Sequence, residues 1–190
     1  MEALLVSAGV VALAEIGDKT QFLALFLAAR FRAPVPVICG ILTATLVNHF
    51  AAGAVGTLLA ATIGPALMRY LLAASFCATA LWMLIPDSPL AAGARPARFG
   101  AYGTSAISFF LLEIGDKTQI ATVALAAAYS NLTAVVAGTT AGMVLANAPV
   151  VFLGKAFSDR LPFKAIHYVA SGLFLVLGVV FLVRAVHRAF

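Results

Sequence analysis

Apolar residues fill six long blocks of the chain, at about 3–29, 35–61, 66–86, 101–128, 132–156 and 165–185. Each block reaches the ~20 residues with which a helix crosses about 30 Å of hydrocarbon. The gaps between blocks carry the residues that end helices: Arg30 to Pro36, Gly64-Pro65, Pro86 to Gly100, Ser130-Asn131 and Lys155 to Lys164. This pattern predicts an all-α integral membrane protein with six transmembrane helices. The N-terminal stretch Met1-Glu2-Ala3-Leu4-Leu5 lacks the basic flank of a signal peptide and runs on past signal length, so it reads as a retained helix.

Composition agrees. The 190 residues are 63% hydrophobic and 10% charged, where soluble domains carry about 25% charge. A chain this short has too little interior to hide so much apolar surface from water, so its solvent is a lipid bilayer. The net charge of +5 does not point to nucleic acid, because the basic residues sit in short loops with no aromatic-basic patch. Cys39 and Cys77 fall inside apolar blocks, which argues against a disulfide framework or a cysteine zinc site.

The chain also repeats itself. Glu15-Ile16-Gly17-Asp18-Lys19-Thr20-Gln21 recurs unchanged 98 residues later as Glu113-Ile114-Gly115-Asp116-Lys117-Thr118-Gln119. The same register pairs Ser7 with Ser105, Gly40 with Gly138, Gly56 with Gly154, Tyr70 with Tyr168 and Phe76 with Phe174. A single membrane domain follows, with repeat 1 at about 1–86, a connector at about 87–99 and repeat 2 at about 100–190. Each half holds three spans. An odd number makes the second half enter from the opposite side, which is the inverted-repeat plan of many secondary transporters.

Four of the seven acidic residues, Glu15, Asp18, Glu113 and Asp116, lie near the middle of the first and fourth spans. Each intramembrane charge costs about 2.5–3.5 kcal/mol on the insertion scale, so such residues read first as functional. Glu and Asp three apart share one face of an ideal helix. Two such faces meeting between the halves would gather four carboxylates, an oxygen set suited to Ca²⁺, Mn²⁺ or Mg²⁺. Gln21, Gln119, Thr20 and Thr118 offer further oxygens. Their angles do not all fit one face, which predicts a helix irregularity near Gly17 and Gly115. With Lys19 and Lys117 the six charges sum to −2, which one divalent cation neutralises. Crowded carboxylates would then take up protons as the cation leaves, the minimum needed for antiport. Pairing of the lysines with the acids purely to hold helices together is the competing reading. It accounts poorly for a seven-residue identity, since buried ion pairs seldom stabilise more than apolar packing does.

Other polar positions carry weaker signals. Asn48 and Asn147 offer carbonyl oxygens within spans two and five, and His49 is the aligned partner of Asn147; interhelical hydrogen bonding is the alternative for all three. Gly138 and Gly142 read as a close-packing pair, Pro149 as a kink, and Trp82 and Tyr102 as interface anchors. No G-x-S-x-G elbow, H-E-x-x-H or phosphate loop occurs, so neither an enzyme nor a bound cofactor is expected.

The doubled Glu-Ile-Gly-Asp-Lys-Thr motif resembles the hallmark of the Gdt-like cation transporter family, which includes MneA-type manganese exporters. The resemblance covers essentially the whole chain. It implies Mn²⁺ or Ca²⁺ transport in exchange for H⁺, and for a short member Mn²⁺ export across the inner membrane. By motif match it carries over Glu15, Gly17, Asp18, Lys19 and Thr20, with Glu113, Gly115, Asp116, Lys117 and Thr118. A lysine-exporter-like solute exporter and an uncoupled cation channel are the alternatives.

Basic residues set orientation. Arg30, Arg32, Arg95, Arg98, Lys155, Arg160 and Lys164 fall on one side, and Arg69, Arg184 and Arg188 on the other. The richer side should face the cytoplasm, leaving both termini outside. A cysteine introduced between 87 and 99 is therefore expected to react with impermeant maleimide only from the cytoplasmic face, and one at position 190 only from outside. Labelling with the opposite sidedness rejects this topology.

Overall fold

The computed structural model describes residues 1–85, 99–154 and 162–187. The connector expected at about 87–99 lies almost wholly outside them, as does position 190. The described residues form eight helices and no strand: α1 (Glu2–Glu15), α2 (Lys19–Phe31), α3 (Pro34–Thr62), α4 (Pro65–Met83), α5 (Gly100–Glu113), α6 (Lys117–Ala128), α7 (Leu132–Leu153) and α8 (Phe163–His187). Prolines start α3 and α4, where a missing amide costs nothing. Pro149 sits inside α7 without ending it.

Four helices, α3, α4, α7 and α8, are long and apolar enough to cross a membrane unaided. The other four are too short. The first and fourth apolar blocks, expected as continuous spans, are each broken at the repeated motif. Gly17 and Gly115 adopt φ of +84° and +76°, a region that costs an L-residue about 1–2 kcal/mol and that glycine enters freely. A helix of 14 residues reaches about 21 Å, so each half-helix ends inside a ~30 Å hydrocarbon layer.

Burial is reversed relative to a water-soluble protein. Large apolar side chains such as Leu58, Leu81, Leu145, Phe152 and Val176 face outward, while Glu15, Asp18, Glu113, Asp116 and Lys117 are buried. Lipid is the only solvent that suits both surfaces. The chain is a multi-pass membrane protein.

The halves interlock. α1 packs mainly on α7 of the other half, and α5 packs on α3 in return. Equivalent small residues make both crossings. A Cβ on Gly138 would meet the Leu4 carbonyl and Ser7, and one on Gly40 would meet the Tyr102 carbonyl and Ser105. Gly142 lies against Ala8 and Ala12, so the close-packing role read for Gly138 and Gly142 is what the structure shows. In both crossings the paired helices run parallel, since later positions on one meet later positions on the other. α4 and α8 pack through the equivalent Phe76 and Phe174, whose ring centroids are 6.0 Å apart.

These crossings set the tolerance to added volume. Gly40→Ala and Gly138→Ala should each destabilise the detergent-solubilised protein by about 1–3 kcal/mol, the usual cost of overpacking. Gly9→Ala, whose Cβ meets nothing within 4 Å, should be neutral or stabilising. Thermal melts of the three variants check this, and equal melting points for all three would show that the crossings are not tight.

Candidate metal centre

Both motifs take the same backbone path. Ile16 is extended (φ −67°, ψ 118°) and Asp18 caps α2 (φ −78°, ψ 166°). Ile114 (φ −61°, ψ 119°) and Asp116 (φ −80°, ψ 164°) repeat this before α6. Glu15 and Asp18 therefore do not share a helical face, as their spacing suggested. Glu15 ends one helix and Asp18 begins the next, so the two converge across a break. The irregularity expected near Gly17 and Gly115 is this break. It leaves helix-terminal carbonyls and amides at the same depth, a concentration of partial charge found where transporters hold ions.

Each break is capped by its own glutamine. Gln21 Oε1 accepts from the Gly17 amide at 3.0 Å, and Gln119 Oε1 from the Gly115 amide at 2.7 Å. The oxygens read from sequence as cation donors are thus engaged by orphaned backbone amides. Gln21 Nε2 also donates to the Ala146 carbonyl at 3.0 Å, tying α2 to α7.

The acids meet across the two halves. Glu15, Asp18 and Asp116 are all buried, and one carboxylate oxygen from each lies within 4.8 Å of the others. The lysines pair reciprocally: Lys19 Nζ lies 2.7 Å from Asp116 Oδ1, and Lys117 Nζ lies 3.4 Å from Asp18 Oδ1. Each half supplies the cation for the other half's aspartate. The two pairs differ in burial, with Lys19 23% exposed and Lys117 only 2%.

Glu113 stands outside this trio. Its Oε1 accepts from Thr45 at 2.7 Å and its Oε2 from Asn48 Nδ2 at 3.1 Å. Glu15 Oε2 accepts from the Thr20 hydroxyl, while among the described residues its Oε1 has no hydrogen-bond partner. Thr118 donates to Asp116 Oδ2 through both its hydroxyl and its amide, at 3.3 and 3.5 Å. Asn147 donates to the Met143 carbonyl at 3.0 Å. His49 is buried, and neither ring nitrogen has a hydrogen-bond partner among the described residues. Trp82, expected at a membrane interface, has its ring 5.9 Å from Lys117 Nζ. Thr45 was not singled out from sequence. Its signal was its place one turn before Asn48 and His49 on an otherwise apolar span.

The family described as "Divalent cation/proton antiporter GDT1" matches over residues 3–90 and 101–189, the two halves of the repeat. The chain belongs to the GDT1 family. A Vibrio cholerae protein named "Putative manganese exporter" is 47% identical over 179 residues, covering 94% of this chain and 89% of that one. A Synechocystis GDT1-like protein is 29% identical over 196 residues, covering 90% and 91%. A rice chloroplastic GDT1-like protein 1 is 40% identical over 78 residues, which is 41% of this chain and 23% of that one. No solved structure matches the chain. The family is one of divalent cation/proton antiporters, and both copies of this chain's motif lie at the buried breaks.

The unequal burial of the two ion pairs has a measurable consequence. Removing one partner of a fully buried pair costs on the order of 3–5 kcal/mol, whereas a pair with one partly exposed partner contributes less. Lys117→Met should therefore destabilise the protein more than Lys19→Met does. Unfolding of both variants in the same detergent measures the difference, and equal losses would mean that the two pairs are energetically equivalent.

Proposed function

We propose that this protein exports Mn²⁺ across the cell's inner membrane in exchange for protons, with the cation held at the junction of the two broken helices. The observation that carries this reading is the convergence of Glu15, Asp18 and Asp116, drawn from both halves and bracketed by two cross-paired lysines. Glu113, the fourth carboxylate of the two motifs, stands beside this trio with its oxygens on Thr45 and Asn48. Gln21 and Gln119 keep the breaks open, Thr20 and Thr118 orient the acids, and Asn48 and Asn147 line the helices that pass behind. Oxygen donors of this kind suit Mn²⁺ and Ca²⁺ alike, and the name of the Vibrio cholerae relative favours Mn²⁺.

On this reading the polypeptide crosses the membrane six times, as two inverted three-span halves with both termini outside the cytoplasm. Two features support it. Each broken pair, α1 with α2 and α5 with α6, together has the length of one crossing. The parallel packing of α1 on α7 and of α5 on α3 is what three crossings per half produce. Rocking of one half against the other would then expose the same carboxylates to either side in turn.

Exchange follows from shared oxygens. Metal and protons compete for the same carboxylates, so binding releases protons and weakens as pH falls. Asp18→Asn and Asp116→Asn should each abolish or cripple Mn²⁺ flux in proteoliposomes, with strongly non-additive effects in the double variant. Lys19→Met leaves the carboxylates less compensated and should move the pH dependence of transport upward. Independent, additive losses with metal affinity flat from about pH 6 to 8 would mean two structural ion pairs instead of one exchange site. Flux indifferent to a proton gradient would indicate a channel, and amino-acid counterflow a solute exporter.

A further inference from the structure

The two motifs are identical, but the helices passing behind them are not. α3 presents Thr45 and Asn48 to Glu113, and both oxygens of that carboxylate are held, at 2.7 and 3.1 Å. Asn48 is itself fixed by donating to the Phe110 carbonyl at 3.0 Å. Moving 98 residues on, the α7 positions equivalent to Thr45 and Asn48 are Met143 and Ala146. α1 runs along α7 with Ser7 at Gly138 and then Ala8 to Ala12 at Gly142. One further turn in that register brings Ala146 to the level of Glu15, with Met143 a turn before it. Neither side chain donates a hydrogen bond to a carboxylate. Glu15 accordingly joins Asp18 and Asp116 within 4.8 Å, and Glu113 does not.

We propose that Thr45 and Asn48 are positioning residues that hold Glu113 out of the cation's coordination, so that three carboxylates close on the ion instead of four. This rests on the carboxylate exchange site proposed above. The physical reason is affinity. Cation sites of oxygen ligands tighten as charged ligands are added, and a transported ion must leave as readily as it arrives. Two hydrogen bonds from α3 stabilise Glu113 where it stands, whereas those made to Glu15 come from Thr20 and Thr118 beside the breaks and, among the described residues, not from the equivalent positions of α7. A duplicated motif thereby makes a centre with one carboxylate in reserve.

The test measures Mn²⁺ affinity by calorimetry and Mn²⁺ release from proteoliposomes, for the whole protein and four variants. Thr45→Met with Asn48→Ala gives the first half's α3 the residues found on α7. It should tighten Mn²⁺ binding about tenfold, as expected for an added charged ligand, and slow release by a similar factor. Thr45→Val, nearly isosteric, should shift both in the same direction by a smaller factor and covers the case in which the double variant does not fold. Thr45→Ser keeps the hydroxyl and should behave as wild type. A merely structural role predicts lost stability with unchanged or weaker binding, so unchanged or weakened affinity in folded Thr45→Val overturns the proposal. Asp18→Asn separates the two levels of inference. If it binds Mn²⁺ as well as wild type, the carboxylate site itself fails; if it loses binding while the Thr45 variants do not tighten, only the positioning role fails.

Discussion

Six ionisable side chains surrounded by lipid-facing helices impose the constraint from which the rest of this structure follows. Water is not at hand to solvate Glu15, Asp18, Lys117 or Asp116, so each must find its partner within the protein. Reciprocal ion pairs across the boundary between halves supply that for the aspartates, Lys19 with Asp116 and Lys117 with Asp18, and the Thr20 hydroxyl supplies it for Glu15. Breaking each span at a glycine lets a lysine and an aspartate leave their own helix axis and face the other repeat.

The small residues serve the same end. For partners from two halves to meet, α1 must approach α7, and α5 must approach α3, at nearly backbone contact. Gly138 with Ser7 and Gly40 with Ser105 allow that approach. Lipid tails provide no hydrophobic drive between helices, so close packing is what holds such crossings. The aromatic contact of Phe76 with Phe174 then joins the last helices of the halves. Packing and charge thus point to the same juxtaposition of repeats.

Much of this was legible in the sequence because it is local. Hydropathy marked the apolar blocks, and identity marked the motif and its register. The backbone break was legible only in part. Gly17 and Gly115 signalled irregularity, but an ideal-helix angle still placed Glu15 and Asp18 on one face, and only the φ of +84° at Gly17 shows them meeting end to end. Gln21 and Gln119 read as ion donors, and nothing in a linear pattern reveals that a break also turns their oxygens toward the Gly17 and Gly115 amides. Thr45 carried only a weak signal, for another reason. A threonine in a membrane helix ordinarily bonds its own backbone, as Thr43 does to the Cys39 carbonyl at 2.9 Å. That Thr45 reaches Glu113 instead depends on α5 passing beside it, which no single segment encodes.

The reciprocal lysine–aspartate pairing also bears on how such a chain arises. In this arrangement each repeat's lysine pairs with the other repeat's aspartate, so the centre draws on both. A protein half this length would build the same centre only by assembling two copies, and on the inverted plan those copies would have to insert in opposite senses. Joining them in one polypeptide fixes the ratio at one to one and frees the two copies to diverge. The donors behind Glu113 and the apolar residues at the level of Glu15 are the kind of divergence that a symmetric pair of identical subunits could never acquire.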